Sequence, residues 1–317
     1  MAELHMPGLS WIVLAVVQAL LMLLLAPLAT GFSRMIRARM HSRRGPGLLQ
    51  DYRDIAKLLR RQSVAPANAG PIFWIMPWVL IVTMLLVGMA LPTLTQTSPF
   101  PISGDVITDI YLLAIFRFFF SLAGLDSNSM FSGVGSAREL TLGVLVEPIF
   151  VLSIFIMAMI VGSTDLGYIS QGMLGEIFQQ PVTVVLAGVA CAFAMFVEMG
   201  KLPFDAAEAE QELQEGPVTE YSGSGLAMVK LGLGLKQLVV VQLFLAIFIP
   251  WGKAATLAFP DLLLAAVVLL CKLIIVFFLA GLVENAMARV RFLNTSRLTW
   301  SAFSFAGLSL AFYVIGL

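Results

Sequence analysis

Eight long runs of apolar residues dominate the sequence, and the segments between them carry most of the charge. An α-helix needs roughly 20 apolar residues to cross the hydrocarbon core of a bilayer. The pattern therefore predicts an all-α, polytopic membrane protein with about eight transmembrane helices. These helices are expected near residues 11–33, 72–92, 106–124, 140–162, 182–199, 235–251, 261–283 and 298–316. The first run is too long for the apolar part of a signal peptide, and its arginines follow it, so we expect it to be retained.

The distribution of Lys and Arg predicts the orientation of the spans, because positive charge beside a span stays in the cytoplasm. The segment between the first two spans holds nine basic residues, whereas the loops after spans two, four and six hold only Lys253. We therefore expect both termini to face the periplasm. The predicted cytoplasmic loops are 34–71, 125–139, 200–234 and 284–297. No loop is long enough for a separate soluble domain, so residues 1–317 are interpreted as a single membrane domain.

The composition agrees with a membrane location and argues against several kinds of site. Hydrophobic residues make up 59% of the chain, and its mean hydropathy is +0.94. The 19 basic and 19 acidic residues cancel, so the net charge gives no indication of nucleic-acid binding. Cys191 and Cys271 each stand alone in an apolar run, and the chain has only two histidines. A metal or iron–sulfur site within this chain is therefore not expected.

The loop at 200–234 departs from the general pattern, because it concentrates carboxylates beside the membrane. Asp205 and Glu208 form a capping box and Gly216 precedes a proline, which predicts a short helix at 206–215. Crowding and partial burial would raise carboxyl pKa values toward neutral pH and so favour proton exchange. A solvated acidic loop with ordinary helix caps is the alternative. The candidate proton-transfer residues are Glu147, Glu198, Asp205, Glu208, Glu210, Glu212, Glu215 and Glu220.

Ionisable residues within the spans are costly in lipid, so they usually form pairs or serve a function. Glu147 precedes a proline that would free a backbone carbonyl, and we favour a proton relay over a buried ion pair for it. Arg117 and Lys272 are expected to pair with carboxylates or to lie at an interface. Lys236 and Glu284 stand near predicted span ends, where their side chains are expected to extend toward water.

The arginine-rich first loop has two possible interpretations. Asp51 is a candidate N-cap for a short amphipathic helix that carries Ile55, Leu58 and Leu59 on one side. The arginines of this loop either only fix the topology and contact lipid phosphates, or dock an acidic partner. The candidate docking residues are Arg37, Arg39, Arg43, Arg44, Arg53, Arg138, Arg289 and Arg291.

The run KLPFDAAEAEQELQEGPVTEYSG resembles the signature of the membrane subunit of respiratory complex I that joins its hydrophilic arm to its proton-pumping arm. Lys201 stands where that family has Arg. The segments GPGLLQDYRDIAKLL, GSAREL and ENAMARVRF agree as well, so the resemblance covers nearly the whole chain. The first loop has one Gly-Pro unit, in RRGPG, instead of two. In this respect the chain is similar to the corresponding subunits of energy-converting hydrogenases of the hydrogenase-4 and formate hydrogenlyase type.

This resemblance implies a non-catalytic subunit, without a redox centre of its own, that anchors a hydrophilic [NiFe] hydrogenase arm in the bacterial cytoplasmic (inner) membrane. The implied partners are the large, small and iron–sulfur subunits, which would carry the [NiFe] centre and iron–sulfur clusters, together with antiporter-like membrane subunits and lipid. No nucleic acid is implied. In the family, the acidic residues that match Glu147, Glu198, Asp205, Glu208, Glu210 and Glu212 line a pathway that couples redox chemistry to proton movement.

Three alternatives remain open. The chain could be the quinone-site membrane subunit of respiratory complex I, although the altered first loop argues against quinone binding. It could be a secondary transporter with a midplane site, although no paired half-length spans are visible. It could also be a purely structural anchor whose carboxylates form interface contacts.

Overall fold

The computed structural model describes residues 8–100, 104–176, 179–205, 207, 210–290 and 292–316. Within these ranges the chain forms α-helices, a 3-10 turn at Gly216–Val218 and two isolated β-bridges. The helices are α1 Leu9–Met40, α2 Gln50–Leu59, α3 Pro71–Ala90, α4 Val106–Asp126, α5 Met130–Val161, α6 Leu166–Glu176, α7 Pro181–Glu198, α8 Glu210–Leu213, α9 Gly223–Phe248, α10 Phe259–Ala286 and α11 Phe292–Ile315.

Eight of these helices are long and apolar enough to cross a membrane, namely α1, α3, α4, α5, α7, α9, α10 and α11. The prediction of an all-α chain with about eight spanning helices is therefore confirmed. Several helices extend beyond the predicted spans, since α5 begins at Met130 instead of 140 and α9 at Gly223 instead of 235. Hydropathy detects only the apolar part of a helix, and here the polar turns continue the same helix.

Helix α9 occupies the centre of the bundle, because it is the most buried of the spanning helices. It packs against α1, α2, α3, α6 and α7, while α4 packs against α3 and α5, and α11 packs against α5 and α7. Helix α10 packs mainly against α1. It exposes Leu263, Leu264, Ile274 and Ile275, an apolar surface typical of contact with lipid.

The connections between helices gather at two ends of the bundle. At one end, the hydroxyl of Ser222 accepts a 2.7 Å hydrogen bond from the Val64 amide, and α2 packs on α1 and α9. We call this end, which carries the arginine-rich loop, the basic face. At the opposite face, Asp105 and Asp165 form an isolated β-bridge, and the Ala254 amide donates to the Leu94 carbonyl at 2.8 Å.

The amphipathic helix predicted after the first span exists as α2, but Asp51 does not cap it. The helix begins at Gln50, and Leu49 occupies the N-cap position without a side-chain cap. The Asp51 carboxylate instead accepts a 2.7 Å hydrogen bond from the Thr30 hydroxyl and pairs with Arg34 of α1. A charged partner and a hydroxyl on α1 thus replace the backbone amides as donors to this carboxylate.

Two aromatic residues fix the ends of the acidic loop between α7 and α9. Phe204 is buried against Phe193 and Phe196 of α7, with ring centroids 5.4 Å and 6.3 Å away. Tyr221 stacks on Phe73 at 4.1 Å and donates a 2.7 Å hydrogen bond to the Phe73 carbonyl. The motif residues Phe204 and Tyr221 therefore attach the loop to the bundle, with the acidic residues between them.

The helix predicted at 206–215 is shorter in the described part of the loop. Only Glu210–Leu213 is helical there, as α8. Gln214 and Glu215 have φ values of 49° and 73°, which lie in the left-handed region and end a right-handed helix. Glu208, the second residue of the predicted capping box, lies outside the described residues.

The crossing of α4 over α5 depends on a glycine. A Cβ at Gly124 would lie 2.0 Å from the Ser136 hydroxyl oxygen and 3.0 Å from that of Ser132, both on α5. By contrast, a Cβ at Gly133 of α5 would meet no atom within 4 Å. The two positions therefore offer a matched pair of substitutions.

We expect Gly124→Ala to lower the free energy of unfolding by about 1–3 kcal/mol, because the added methyl group must either displace the buried Ser136 hydroxyl or separate α4 from α5. Gly133→Ala should leave it unchanged or raise it by up to ~1 kcal/mol, since alanine favours a helix more than glycine does. Denaturant titration of the purified protein in detergent measures both. Equal stability of the two variants would contradict this account of the crossing.

Candidate functional site

Charged side chains from four helices meet inside the bundle. We call this group the ion cluster, and its members are Arg117 of α4, Glu139 and Glu147 of α5, Glu198 of α7 and Lys236 of α9. Glu198 is its centre, because its two carboxylate oxygens pair with different cations. One accepts a hydrogen bond from Arg117, and the other lies 3.1 Å from the Lys236 ammonium nitrogen. The side chains of these three residues are only 9–10% exposed.

The two carboxylates of α5 complete the cluster in different ways. An oxygen of Glu139 lies 3.5 Å from Arg117 Nε and 3.7 Å from Lys236 Nζ, so it contacts both cations at longer range. Glu147 accepts a hydrogen bond from Arg117 Nη1 but remains 43% exposed. The cluster thus reaches from a buried centre at Glu198 to the bundle surface at Glu147.

A glycine and an aromatic ring shape the positions of the two cations. A Cβ at Gly143 would lie 2.7 Å from Arg117 Cδ and Nη1, so the guanidinium lies directly against the backbone of α5. The Lys236 ammonium lies 5.5 Å from the centroid of the Phe116 ring, which is within range of a cation–π contact. Both cations are held by packing as well as by charge.

A small cavity of about 50 Å³ adjoins the cluster. Its polar lining residues are Arg117, Glu139, Glu198, Asp205, Lys236 and Gln237. A larger cavity of about 280 Å³ lies between α1, α2 and α9. Its charged lining residues are Arg34, Asp51, Asp54, Glu215 and Lys230. Leu233 and Gln237 line both cavities, so Gln237 is the polar residue that they share.

Comparison with known proteins identifies the family. The NADH dehydrogenase family model matches residues 12–315. The chain belongs to this family. It is 56% identical to Hydrogenase-4 component C of Escherichia coli (strain K12), over 96% of this chain and 97% of that protein. It is 51% identical to Formate hydrogenlyase subunit 4 of the same organism, over 92% of this chain and 95% of that protein.

A solved structure has the same fold. It is a chain from the structure of the membrane-bound sulfane sulfur reductase, an archaeal respiratory membrane complex. The TM-score is 0.81 at 23% sequence identity, and the match covers 94% of this chain and 98% of that chain. The helical arrangement described above is therefore shared with a subunit of a membrane complex.

The structure brings together three of the acidic residues predicted to transfer protons. Glu147 and Glu198 both bind Arg117, and Asp205 lines the same small cavity as Glu198. Asp205 also pairs with Arg289 through two hydrogen bonds, one of them 3.1 Å long. Glu147 is thus in an ion pair, although its side chain is 43% exposed, and its proton-transfer role stays a prediction.

The other predicted acidic residues lie further along the loop. Glu212 is 55% exposed, and a 2.7 Å hydrogen bond from Arg138 lowers the pKa of its carboxyl. Glu215 lines the larger cavity, and Glu220 is partly buried. Glu208 lies outside the described residues, as does the side chain of Glu210.

The candidate docking arginines divide into two groups. Arg39, Arg43, Arg44 and Arg53 are exposed at the basic face. Arg37, Arg138 and Arg289 bind carboxylates of this chain, namely Glu284 at 2.8 Å, Glu212 and Asp205. These three therefore also stabilise the basic face itself. Arg291 lies outside the described residues.

The predictions for Lys236 and Glu284 are wrong. Both side chains were expected to extend toward water, but both residues are only 8% exposed and lie in ion pairs. The reason is that α9 and α10 continue past the predicted span ends, which places these residues inside the bundle. Arg117 pairs with carboxylates as expected. Lys272 instead donates to the backbone carbonyls of Ile249 and Trp251, beyond the end of α9.

Lys201 is buried at the start of the acidic loop. Its ammonium donates a 2.5 Å hydrogen bond to the Ser33 hydroxyl and lies 5.3 Å from the Phe277 ring centroid. Burial lowers the pKa of Lys201 to about 8, although the nearby Glu284 opposes this shift. A lysine in this environment can lose its proton at a pH where an arginine would stay charged.

The geometry suits proton exchange for a physical reason. Each cation of the ion cluster contacts more than one carboxylate, so a carboxylate that takes up a proton leaves its cation with another partner. Without such a second partner, an unpaired buried charge costs several kcal/mol. In the described part of the chain, no three His, Cys, Asp or Glu side chains are placed to hold a metal ion.

Proposed function

We propose that this chain is the non-catalytic anchoring and coupling subunit of an energy-converting [NiFe] hydrogenase of the hydrogenase-4 or formate hydrogenlyase type. The ion cluster is the observation that carries this proposal. It places ionisable groups, which can exchange partners, beside a cavity inside a membrane bundle. The 56% and 51% identities to hydrogenase-4 and formate hydrogenlyase subunits support this kind of complex.

The hydrophilic redox arm would dock on the basic face. This arm would comprise the large, small and iron–sulfur subunits, which would carry the [NiFe] centre and iron–sulfur clusters. The exposed arginines of the first loop offer bidentate hydrogen bonds to partner carboxylates. Glu147 is half exposed on a spanning helix, a position costly in lipid and better suited to contact with an antiporter-like membrane subunit.

Coupling would act through the alternative pairs. Electron transfer in the docked arm changes the charge above the acidic loop, and this change favours proton uptake at Asp205 or Glu198. When Glu198 becomes neutral, Arg117 is left with Glu147 and Glu139, and Lys236 with Glu139. The altered pairing then favours proton release from a different carboxylate. The carboxylates of the ion cluster would therefore take up or release protons according to which of them are paired with Arg117 and Lys236.

Quinone reduction, as in respiratory complex I, is the alternative function within the family. The larger cavity between α1, α2 and α9 is the available space for a ligand. Its five charged lining residues make it a poor environment for an apolar quinone ring, because such sites are mostly apolar. Electron transfer to added quinone by the purified complex would favour this alternative over the hydrogenase.

The relay is tested by replacing Glu147 with Gln and Asp205 with Asn. We expect both complexes to assemble and produce hydrogen, while proton movement per hydrogen falls by about tenfold or more, as is usual when a proton-transfer group is lost. Proton uptake into sealed vesicles, measured beside hydrogen production, gives this ratio. Asp261→Asn, an exposed position at the opposite face, is the matched control.

Normal proton movement in both variants would show that the carboxylates serve only as an anchor. The proposal also requires partners. If the gently solubilised chain purified alone, without nickel or iron, the assignment to a hydrogenase complex would be wrong.

The proposed location is the bacterial inner membrane, with the basic face in the cytoplasm and both termini in the periplasm. Once the hydrophilic arm is stripped from the membrane, exposed arginines of the 34–71 segment should be cleaved by trypsin in inside-out vesicles and protected in right-side-out vesicles. Fragment sizes on a gel report the result. Cleavage of this segment only in right-side-out vesicles would reverse the orientation.

A further inference from the structure

A second buried carboxylate lies on α4, away from the ion cluster. Asp109 stands in the first turn of α4, near the opposite face, and is only 1% exposed. Among the described residues, neither of its carboxylate oxygens has a hydrogen-bond partner. Buried polar groups normally have partners, so a carboxyl group in this state calls for an explanation.

The charges around Asp109 do not neutralise a carboxylate. In the described part of the chain, no Lys or Arg lies within salt-bridge distance of it. Arg117 lies eight residues further along α4, about 12 Å along the helix axis, and is already bound to carboxylates. The neighbouring Asp105 caps α4 through a 3.2 Å hydrogen bond from the Ile107 amide, and it opposes Asp165 of another loop. The charged residue beside Asp109 at the start of α4 is therefore acidic.

A cavity lies along α4, in the stretch of the helix between Asp109 and the ion cluster. It has a volume of about 30 Å³, which is enough for a water molecule. Its lining includes Arg117, Glu147 and Glu198, together with Ile110 and Leu113, which follow Asp109 along α4 by one and four residues. Arg117 and Glu198 also line the cavity beside Asp205, so this ion pair separates the two spaces.

We propose that Asp109 is held as a neutral carboxylic acid and is the outer proton-binding site of a path that runs within this chain. The inner site is the ion cluster, the small cavity along α4 holds the connecting water, and Asp105 connects Asp109 to the opposite face. Burying a neutral carboxylic acid in an apolar surrounding costs far less free energy than burying an unpaired carboxylate. This inference rests on the proposed function for the direction of proton movement, but the protonation of Asp109 stands on the geometry alone.

The protonation is tested by infrared spectroscopy of the whole complex with and without Asp109→Asn. A neutral carboxylic acid gives a carbonyl stretching band above the amide and carboxylate bands in frequency. We expect a band that isotopic labelling of aspartate shifts and that Asp109→Asn removes. The control is Asp261→Asn, which replaces an exposed aspartate in the first turn of α10. It should leave the band unchanged.

Its place in the path is tested by proton movement in vesicles. Asp109→Asn should keep hydrogen production and reduce proton movement per hydrogen by about tenfold or more. If no band disappears in Asp109→Asn, the carboxylate is ionised and stabilised by the helix N-terminus, and the inference is overturned. If the band disappears while proton movement stays normal, the role in the path is overturned.

Failure of the proposed function would look different. In that case wild-type vesicles would move no protons at all, and the proposed path through Asp109 would be wrong as well. The infrared band would still decide whether Asp109 binds a proton.

Discussion

The need to neutralise Arg117 inside the bundle constrains the rest of this structure. A guanidinium cannot lose its proton, so a buried arginine must be met by carboxylates. Glu147, Glu198 and Glu139 meet it from two other helices, and Gly143 leaves room for it against the backbone of α5. Lys236 of the central helix α9 then reduces the surplus of negative charge, so that two cations face three carboxylates. Arg117 thereby links α4 to α5 and α7, Lys236 links α9 to the same carboxylates, and both cations line the small cavity beside Asp205.

The same constraint links the fold to the proposed function. A cluster in which each cation contacts more than one carboxylate can change its pairing without leaving a charge alone, which a single buried ion pair cannot do. The aromatic anchors Phe204 and Tyr221 attach the acidic loop above this cluster, so a partner on the basic face would lie close to it. The acidic loop is therefore interpreted as the connection between a docked redox arm and the membrane interior.

The spanning helices could be predicted from the sequence because their apolar runs are long, and Glu147 and Glu198 could be identified because charges in such runs are rare. The ends of the helices could not be predicted, because polar turns continue α5 and α9 past their apolar parts. This error placed Lys236 at a span end and left Glu139 in a loop, so two members of the ion cluster were missed. Glu139 lies two helical turns before Glu147, a spacing that would have revealed it once α5 was extended. Which arginine binds which carboxylate depends on helix packing, and hydropathy carries no such information.

The central claim is that the ion cluster carries protons and does not only hold the bundle together. The double variant Glu198→Gln with Lys236→Met tests it most directly, because it removes one charge of each sign and keeps the charge balance around Arg117. The measurement is proton movement per hydrogen produced in sealed vesicles. We predict an assembled, hydrogen-producing complex in which this ratio falls by about tenfold or more. An unchanged ratio in the assembled complex would contradict the account and leave the cluster a purely structural element.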